Sequence, residues 1–220
     1  MNRHELDKII EEGEGFRIEF KRKVSTPEKI ARALSAFANT RGGKILFGVD
    51  DDGSIVGVES EKTEIEFIAF AGEQLCEPPI LPDIDIVPVN GKDVIVATVS
   101  ESNEKPHYFL ADAATEDNEG ERVYIRVNDK TLIASKEVIR ILQDERSDSR
   151  PLTLEIGENE RRLFRYLETH ERITVKHFSD LVNISDRRAS RILVRLVRAG
   201  VIRIHTLEKT DFFTLASPVG

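Results

Sequence analysis

The sequence has little that would place it in a membrane or in an oxidising compartment. Its single cysteine, Cys76, excludes an internal disulfide and favours a reducing cytoplasm. No apolar run reaches the length that crosses a bilayer, and the first fifteen residues, MNRHELDKIIEEGEG, are too acidic for a signal peptide. Because 40 % of the 220 residues are hydrophobic, the composition predicts a globular cytoplasmic protein without a membrane partner, with one large or two modest domains.

Common catalytic motifs are missing as well. Residues 41–44, RGGK, do not form a phosphate-binding P-loop, because that motif would need glycine at Ala38 and serine or threonine at Ile45. Gly-x-Ser-x-Gly does not occur, and Cys76 lies late in an apolar helix without a histidine nearby in sequence. The histidines lack metal-ligand spacing; they are His4, His107, His170, His177 and His205.

The charge is unevenly distributed along the chain. The net charge is −8, yet residues 151–220 hold 12 Lys and Arg against 9 Asp and Glu. Within the acidic remainder, residues 16–48 carry eight basic and two acidic side chains. This segment is either a solvated helix face or a local anion-binding patch on an otherwise repulsive surface.

Residues 1–145 alternate helical and strand patterns around a central segment, Ala36–Val58. Helix signals cover 5–12, 27 to about 41 (after Ser25 and Thr26), 63–76 and 136–144; strand signals cover 16–21, 45–49, 54–58, 84–89, 94–99 and 122–127. Asp52-Gly53 and Asn90-Gly91 predict hairpin turns. The polar segment 111–121 is expected to be an exposed loop, and residues 146–154 form the predicted linker.

Several short motifs in this part resemble the Schlafen/AlbA-like domain, over about residues 10–145. They are Glu19-Phe20-Lys21, Ala36-Phe37-Ala38-Asn39-Thr40, Gly42-Gly43, Phe47-Gly48-Val49-Asp50, Asp52-Gly53, Lys105-Pro106-His107-Tyr108 and Tyr124-Ile125-Arg126-Val127. Asn128 stands where the family usually has glycine, and asparagine tolerates the same left-handed turn. The resemblance implies a mixed α/β domain that binds nucleic acid.

The resemblance implies two alternative functions. Many prokaryotic members are similar to transcription regulators with an attached helix-turn-helix, whereas animal Schlafen members include metal-dependent RNA nucleases with three carboxylates. The matching residues here are Glu14, Glu19 and Asp50, with Asp51 or Asp52 as substitutes for Asp50; they would hold Mg²⁺ or Mn²⁺ while Lys21 neutralises the phosphate. Alternatively, the three acids are ordinary loop, strand and turn residues, and the chain needs no cofactor.

Residues 155–220 resemble the winged helix-turn-helix superfamily. Helices are predicted over 158–170, 175–182 and 186–199, followed by strands over 201–205 and 212–215. The fold class expected for the whole chain is therefore α+β: a mixed α/β domain followed by a small winged helix-turn-helix domain.

The third helix of this second part carries an arginine face. Ala189, Ile192, Leu193, Leu196 and Val197 form a core-facing stripe, and at about 100° per residue the arginines 187, 191, 195 and 198 fall within an arc of about 80° on the other side. Arginine suits guanine edges and phosphates in the major groove. A protein-binding winged helix is the alternative.

The sequence thus predicts a DNA-binding transcription regulator, with a divalent-metal nuclease as the alternative. The expected partner is double-stranded DNA, and a homodimer is expected because operators are usually palindromic. The residues expected to contact nucleic acid are Arg187, Arg188, Arg191, Arg195, Arg198, Ser185 and Lys209 in the second domain and Lys21, Arg22, Lys23, Arg41 and Lys44 in the first.

Overall fold

The computed structural model describes residues 1–23, 26–110, 122–145, 155–207 and 210–216, and it divides the chain into two compact units, Met1–Ala134 and Ser135–Gly220. The first unit holds helices α1 (Arg3–Glu12), α2 (Pro27–Ala38) and α3 (Glu61–Gln74), with strands β1 (Ile18–Lys21), β2 (Gly43–Phe47), β3 (Cys76–Glu77), β4 (Asp83–Val89), β5 (Lys92–Val99), β6 (Tyr108–Phe109), β7 (Arg122–Val127) and β8 (Lys130–Ile133). The second holds helices α4 (Lys136–Asp144), α5 (Glu158–Thr169), α6 (Val175–Val182) and α7 (Asp186–Arg198), with strands β9 (Ile202–His205) and β10 (Phe212–Leu215). The α+β class is confirmed.

Two four-stranded sheets build the first unit. The first sheet has the order β1-β2-β5-β4, in which β1 and β2 are parallel and the other pairs antiparallel. The register places Ile18 opposite Lys44 and Lys21 opposite Phe47, and α2 supplies the crossover that two parallel neighbours require. The second sheet, β3-β6-β7-β8, is antiparallel.

Helix α2 forms the centre of the first unit because its second half, from Ala33 to Ala38, consists of apolar or small residues. Pro27 at its first turn presets the backbone, and the residues from Ala33 to Ala38 are all buried. Ile45 and Phe47 of β2 join its core cluster, whereas Leu46 points to the other face of the sheet, where Leu6 of α1 packs. The expected cap residue Ser25 lies outside the described residues, and Thr26 caps through its backbone alone.

The predicted hairpin after β2 is only partly formed. Val49 and Ile55 make a single β-bridge, and no strand covers 54–58, whose positions are all among the described residues. Gly48 has a φ of +91°, and a Cβ there would lie 2.9 Å from the backbone of Gly57. The backbone of Gly57 approaches Gly48 closely, and the chain leaves the sheet at this point. Strand β5 therefore pairs with β2 in place of the expected return strand. The hairpin across Asn90-Gly91 is confirmed.

The buried side chain of Asn39 joins the end of α2 to the second sheet. Its Oδ1 accepts from His107 N at 2.7 Å, and its Nδ2 donates to His107 O at 2.9 Å and to Tyr124 O at 3.0 Å. The ring of His107 is itself buried, with Nδ1 2.7 Å from Pro78 O. Its Nε2 has no hydrogen-bond partner among the described residues, so a proton there would remain unpaired.

The free energy of unfolding should therefore decrease when the pH falls below the ordinary pKa of a histidine side chain. Burial lowers the pKa of His107 from 6.5, against smaller raising effects of the Pro78 carbonyl, Glu104 and Glu77. The folded chain thus favours the neutral ring: its stabilisation is complete above about pH 6.5 and is lost as the pH falls toward the folded pKa. Urea unfolding at pH 7.5 and 5.5 should show a smaller pH effect for His107→Gln than for the wild type. His4→Gln, on the exposed face of α1, should keep the wild-type difference; equal pH effects in all three proteins would contradict the assignment.

Three helices and a hairpin make the core of the second unit. Leu163 of α5, Phe178 of α6, Leu193 of α7 and Phe213 of β10 are fully buried in one cluster. Ile173, between α5 and α6, forms a β-bridge with Phe213, so a third chain segment joins the hairpin β9–β10. Asn183 ends α6 in the left-handed conformation, which permits the tight turn into α7.

Helix α4 belongs to this second unit, although the sequence analysis assigned it to the first domain. Ser190 of α7 donates to Glu137 and accepts from Arg140, and Arg198 lies 3.3 Å from Asp144. Each of these bonds joins residues that are 50 or more positions apart in sequence, so no local sequence pattern reveals them. The linker predicted at 146–154 lies outside the described residues and stays a prediction.

Candidate nucleic-acid interface

Three arginines of α7 form the accessible basic face of the second unit. Ser185 caps the helix by accepting a hydrogen bond from Arg188 N. Ala189, Leu193 and Leu196 are buried on one side of the helix, so the opposite side faces outward. The side chains of Arg187, Arg188 and Arg191 are exposed and make no hydrogen bond or ion pair with the described residues. We call these three residues the α7 arginine face. Unpaired guanidinium groups are ready to meet an anion because no internal bond has to be broken first.

The remaining two arginines of α7 have intramolecular partners instead. Arg195 Nη2 lies 2.8 Å from Glu160 Oε1, and Glu160, only 5 % exposed, also accepts from Gly157 N at the start of α5. Arg198 is bonded to Asp144 of α4. Both arginines were expected to contact phosphate, and the structure uses them to hold α7 against α5 and α4. Helical periodicity could not show this, because the carboxylates lie on other helices.

A groove of about 620 Å³ runs beside the α7 arginine face. Arg188, Arg191 and Arg195 lie on one wall, and Glu155, Glu158 and Glu160 lie around the start of α5 on the other. The acidic wall repels phosphate on that side. The approach of an anion is therefore favoured on the side of Arg187, the member of the α7 arginine face that does not line the groove. Lys209, expected in the loop of the hairpin, lies outside the described residues.

The basic residues predicted in the first unit do not form one patch. Three of them have internal partners: Lys21 with Glu19, Arg22 with Asp50, and Lys44 with Thr98. Arg41 lies 6.0 Å from the ring centre of Phe16, and Lys23 is exposed. By the strand register, the segment after β1 (residues 21–23) and the segment before β2 (residues 41–44) lie at opposite ends of the strand pair, about 10 Å apart.

The three carboxylates expected to hold a metal are kept apart by separate partners. Glu14 accepts from Phe20 N at 2.7 Å, Asp50 is paired with Arg22, and Glu19 is buried against two cations. Among the residues that the structure describes, no group of three or more His, Cys, Asp or Glu could hold a metal ion. The expected Glu14–Glu19–Asp50 site is therefore not formed, and these residues do not fit a divalent metal.

Neither neighbour of Asp50 replaces it. Asp52 Oδ1 accepts from Ser54 N at 2.8 Å in the turn, and bonds to Ser54 lower the pKa of its carboxyl group. Asp51 is exposed. Both residues lie in the turn that follows Asp50.

Arg126 is the functional-site residue that the sequence analysis missed. Its guanidinium is 2.5 Å from Glu19 Oε2, donates to Gly15 O at 2.7 Å and to Thr131 Oγ1 at 3.1 Å, and lies 4.7 Å from the ring centre of Phe37. Lys21 Nζ lies 2.6 Å from the other carboxylate oxygen of Glu19. Arg126 thus supplies the positive charge that a metal would supply beside Glu19. The signal was an arginine in the otherwise apolar run from Val123 to Val127, inside a motif to which no role was given.

Comparison with protein families gives a match that covers most of the first unit. Residues 14–135 match the family model described as Schlafen, AlbA_2. No curated protein matches the sequence. Two similar solved structures are the DIP2311 protein from Corynebacterium diphtheriae (18 % identity, TM-score 0.48, covering 87 % of this chain) and the N-terminal domain of a RecG-related protein from Nitrosomonas europaea (24 % identity, TM-score 0.43, covering 70 % of this chain and 97 % of that one). The chain spans 36 % of the length of the DIP2311 chain. None of the helices in the described ranges has the length and apolar character of a membrane span.

Proposed function

Because the chain belongs to the Schlafen AlbA_2 family through residues 14–135, we propose that it is a DNA-binding protein that regulates transcription. The second unit reads duplex DNA, and the first unit provides a second nucleic-acid contact or a sensing site. The observation that carries this proposal is the α7 arginine face, whose three guanidinium groups are exposed and unpaired within the described residues.

The order of elements supports a winged helix-turn-helix in the second unit. Helices α5, α6 and α7 are followed by the hairpin β9–β10, and Ile173 adds a bridging residue to that hairpin between α5 and α6. The tight turn at Asn183 sets α7 against α6 as a recognition helix is set against its supporting helix. Helix α7 is the element that enters the major groove in this proposal.

The arginines of α7 then have different roles. Arg187 and Arg191 lie toward the start of the helix, where a recognition helix contacts base edges, and a bidentate arginine reads guanine. Arg188, next to Arg187 in the α7 arginine face, adds a further exposed positive charge. Arg195 and Arg198 orient the helix through Glu160 and Asp144. A homodimer is proposed because one recognition helix per chain reads one half of a palindromic site.

The test is selection of bound sequences from a pool of random duplexes by the intact chain. We expect enrichment of a palindromic motif, and an affinity for that motif that falls linearly on a logarithmic plot against salt concentration, since bound phosphates release counterions. A pool recovered without any enrichment, together with an affinity that salt does not change, would overturn the proposal in favour of a protein-binding winged helix.

A further inference from the structure

A basic cleft of about 410 Å³ lies on the first unit, next to Glu19. Strand β1, helix α2 and the strand pair β7–β8 form its walls, and its principal lining residues are Glu19, Lys21, Lys29, Arg32, Tyr124 and Thr131. We propose that this cleft binds the phosphate group of a nucleotide without a metal ion. The inference rests on the proposed function, because it names the ligand that the first unit would contact or sense.

The charge of the cleft favours an anion. Lys21, Lys29 and Arg32 bring three positive charges to its lining against the single carboxylate of Glu19. That carboxylate is already neutralised from behind by the buried Arg126. Glu28, four residues before Arg32, is exposed and bonded to Thr26. The cleft is thus a positive site on a chain whose net charge is −8, and it attracts anions locally despite that net charge.

Arg32 is held at the cleft by two aromatic rings. Its guanidinium carbon lies 5.2 Å from the ring centre of Phe109 and 5.8 Å from that of Tyr124. These cation–π contacts leave the hydrogen-bond donors in the guanidinium plane free for a ligand. The planar fork matches two oxygens of a phosphate. Lys29, in the first turn of α2, adds its charge where the helix dipole also favours an anion.

The ion pairs around Glu19 make a metal unnecessary. One carboxylate oxygen is bonded to Arg126 and the other to Lys21, so two cations of the chain itself balance the charge of Glu19. Phosphate would meet lysine and arginine directly, through charge-assisted hydrogen bonds. The volume lies within the range of small-ligand sites and accommodates a mononucleotide. The phosphate can come from a free nucleotide or from single-stranded nucleic acid.

Calorimetric titration of the intact chain in EDTA tests the proposal with three probes: inorganic phosphate, AMP and a five-nucleotide oligothymidylate. We expect binding of AMP or of the oligonucleotide, and weakening by about tenfold or more in Lys29→Ala/Arg32→Ala, because each substitution removes a charged hydrogen bond. Lys8→Ala/Lys62→Ala removes two exposed charges elsewhere on this unit and should leave binding within about twofold of wild type. Binding of AMP alone identifies a free nucleotide as the ligand, and binding of the oligonucleotide alone identifies a single strand. Either result supports phosphate binding by the cleft.

Two results would overturn the inference: no binding of any probe by the folded wild type, or binding that appears only after Mg²⁺ or Mn²⁺ is added. Arg187→Ala/Arg191→Ala separates this inference from the proposed function. That variant should lose duplex binding and still bind the probe. Duplex binding without probe binding would overturn the cleft alone, and probe binding without duplex binding in the wild type would overturn the proposed function alone.

Discussion

Arg126→Ala is expected to lower the free energy of unfolding by about 3–5 kcal/mol, because it leaves the buried carboxylate of Glu19 without its main partner. The same substitution removes the donors to Gly15 O and Thr131 Oγ1 and the cation over Phe37. Lys21 remains beside Glu19, but its side chain is 36 % exposed and hydrated, so its charge compensates only in part. Urea denaturation at pH 7 measures the change.

The double variant Glu19→Leu/Arg126→Met is the matched control. Removing both charges avoids a buried unpaired ion, and the methionine can still pack on Phe37, so the double variant should be more stable than Arg126→Ala alone. Lys21 would lose its partner, but water can solvate it. If the double variant were the less stable protein, or if Arg126→Ala cost less than about 1 kcal/mol, the pair would not have the role assigned to it.

Arg187→Ala and Arg191→Ala are each expected to weaken binding of the selected duplex by about 1–3 kcal/mol and to relax specificity at one base position. Both side chains are exposed and unpaired in the described structure, so the substitutions should leave stability unchanged. Fluorescence anisotropy with the selected duplex and with single-base variants measures both effects. Arg161→Ala, on the exposed face of α5, removes the same single charge and should change specificity at no position.

Arg195→Ala distinguishes a positioning role from a DNA contact. It would leave Glu160 buried without its ion pair, so we expect lower stability of the second unit and weaker binding to all duplexes alike. Arg195 would instead be a phosphate contact, as the sequence suggested, if stability were unchanged and the logarithm of affinity fell less steeply with the logarithm of salt concentration.

Local signals predicted most of the helices and strands correctly. The proline at the start of α2, the serine cap of α7 and the pair Asn90-Gly91 each act within a few residues, and the structure has a helix or turn at every one of them. The parallel pairing of β1 with β2 agrees with the length of α2, which forms the crossover between them.

Partners distant in sequence could not be predicted. Glu19 and Arg126 are 107 residues apart, and no periodicity connects them. The carboxylate site was inferred from three acids in family positions, and the structure gives each acid a separate internal partner. Arg195 and Arg198 belong to the arginine arc by helical geometry, yet the carboxylates that bind them lie on α5 and α4. Periodicity shows which side of a helix is polar; it does not show what that side meets.

The packing of α4 on α7 changes where an autonomous fragment of the second unit would begin. The sequence suggests excision at the linker, which would start the fragment at residue 155. Such a fragment would lack Glu137 and Arg140, the bonding partners of the buried Ser190, and Asp144, the partner of Arg198. The segment that forms one compact unit runs from Ser135 to Gly220. A gene fusion that transferred only the three helices and the hairpin would therefore transfer a recognition helix with one supporting face uncovered.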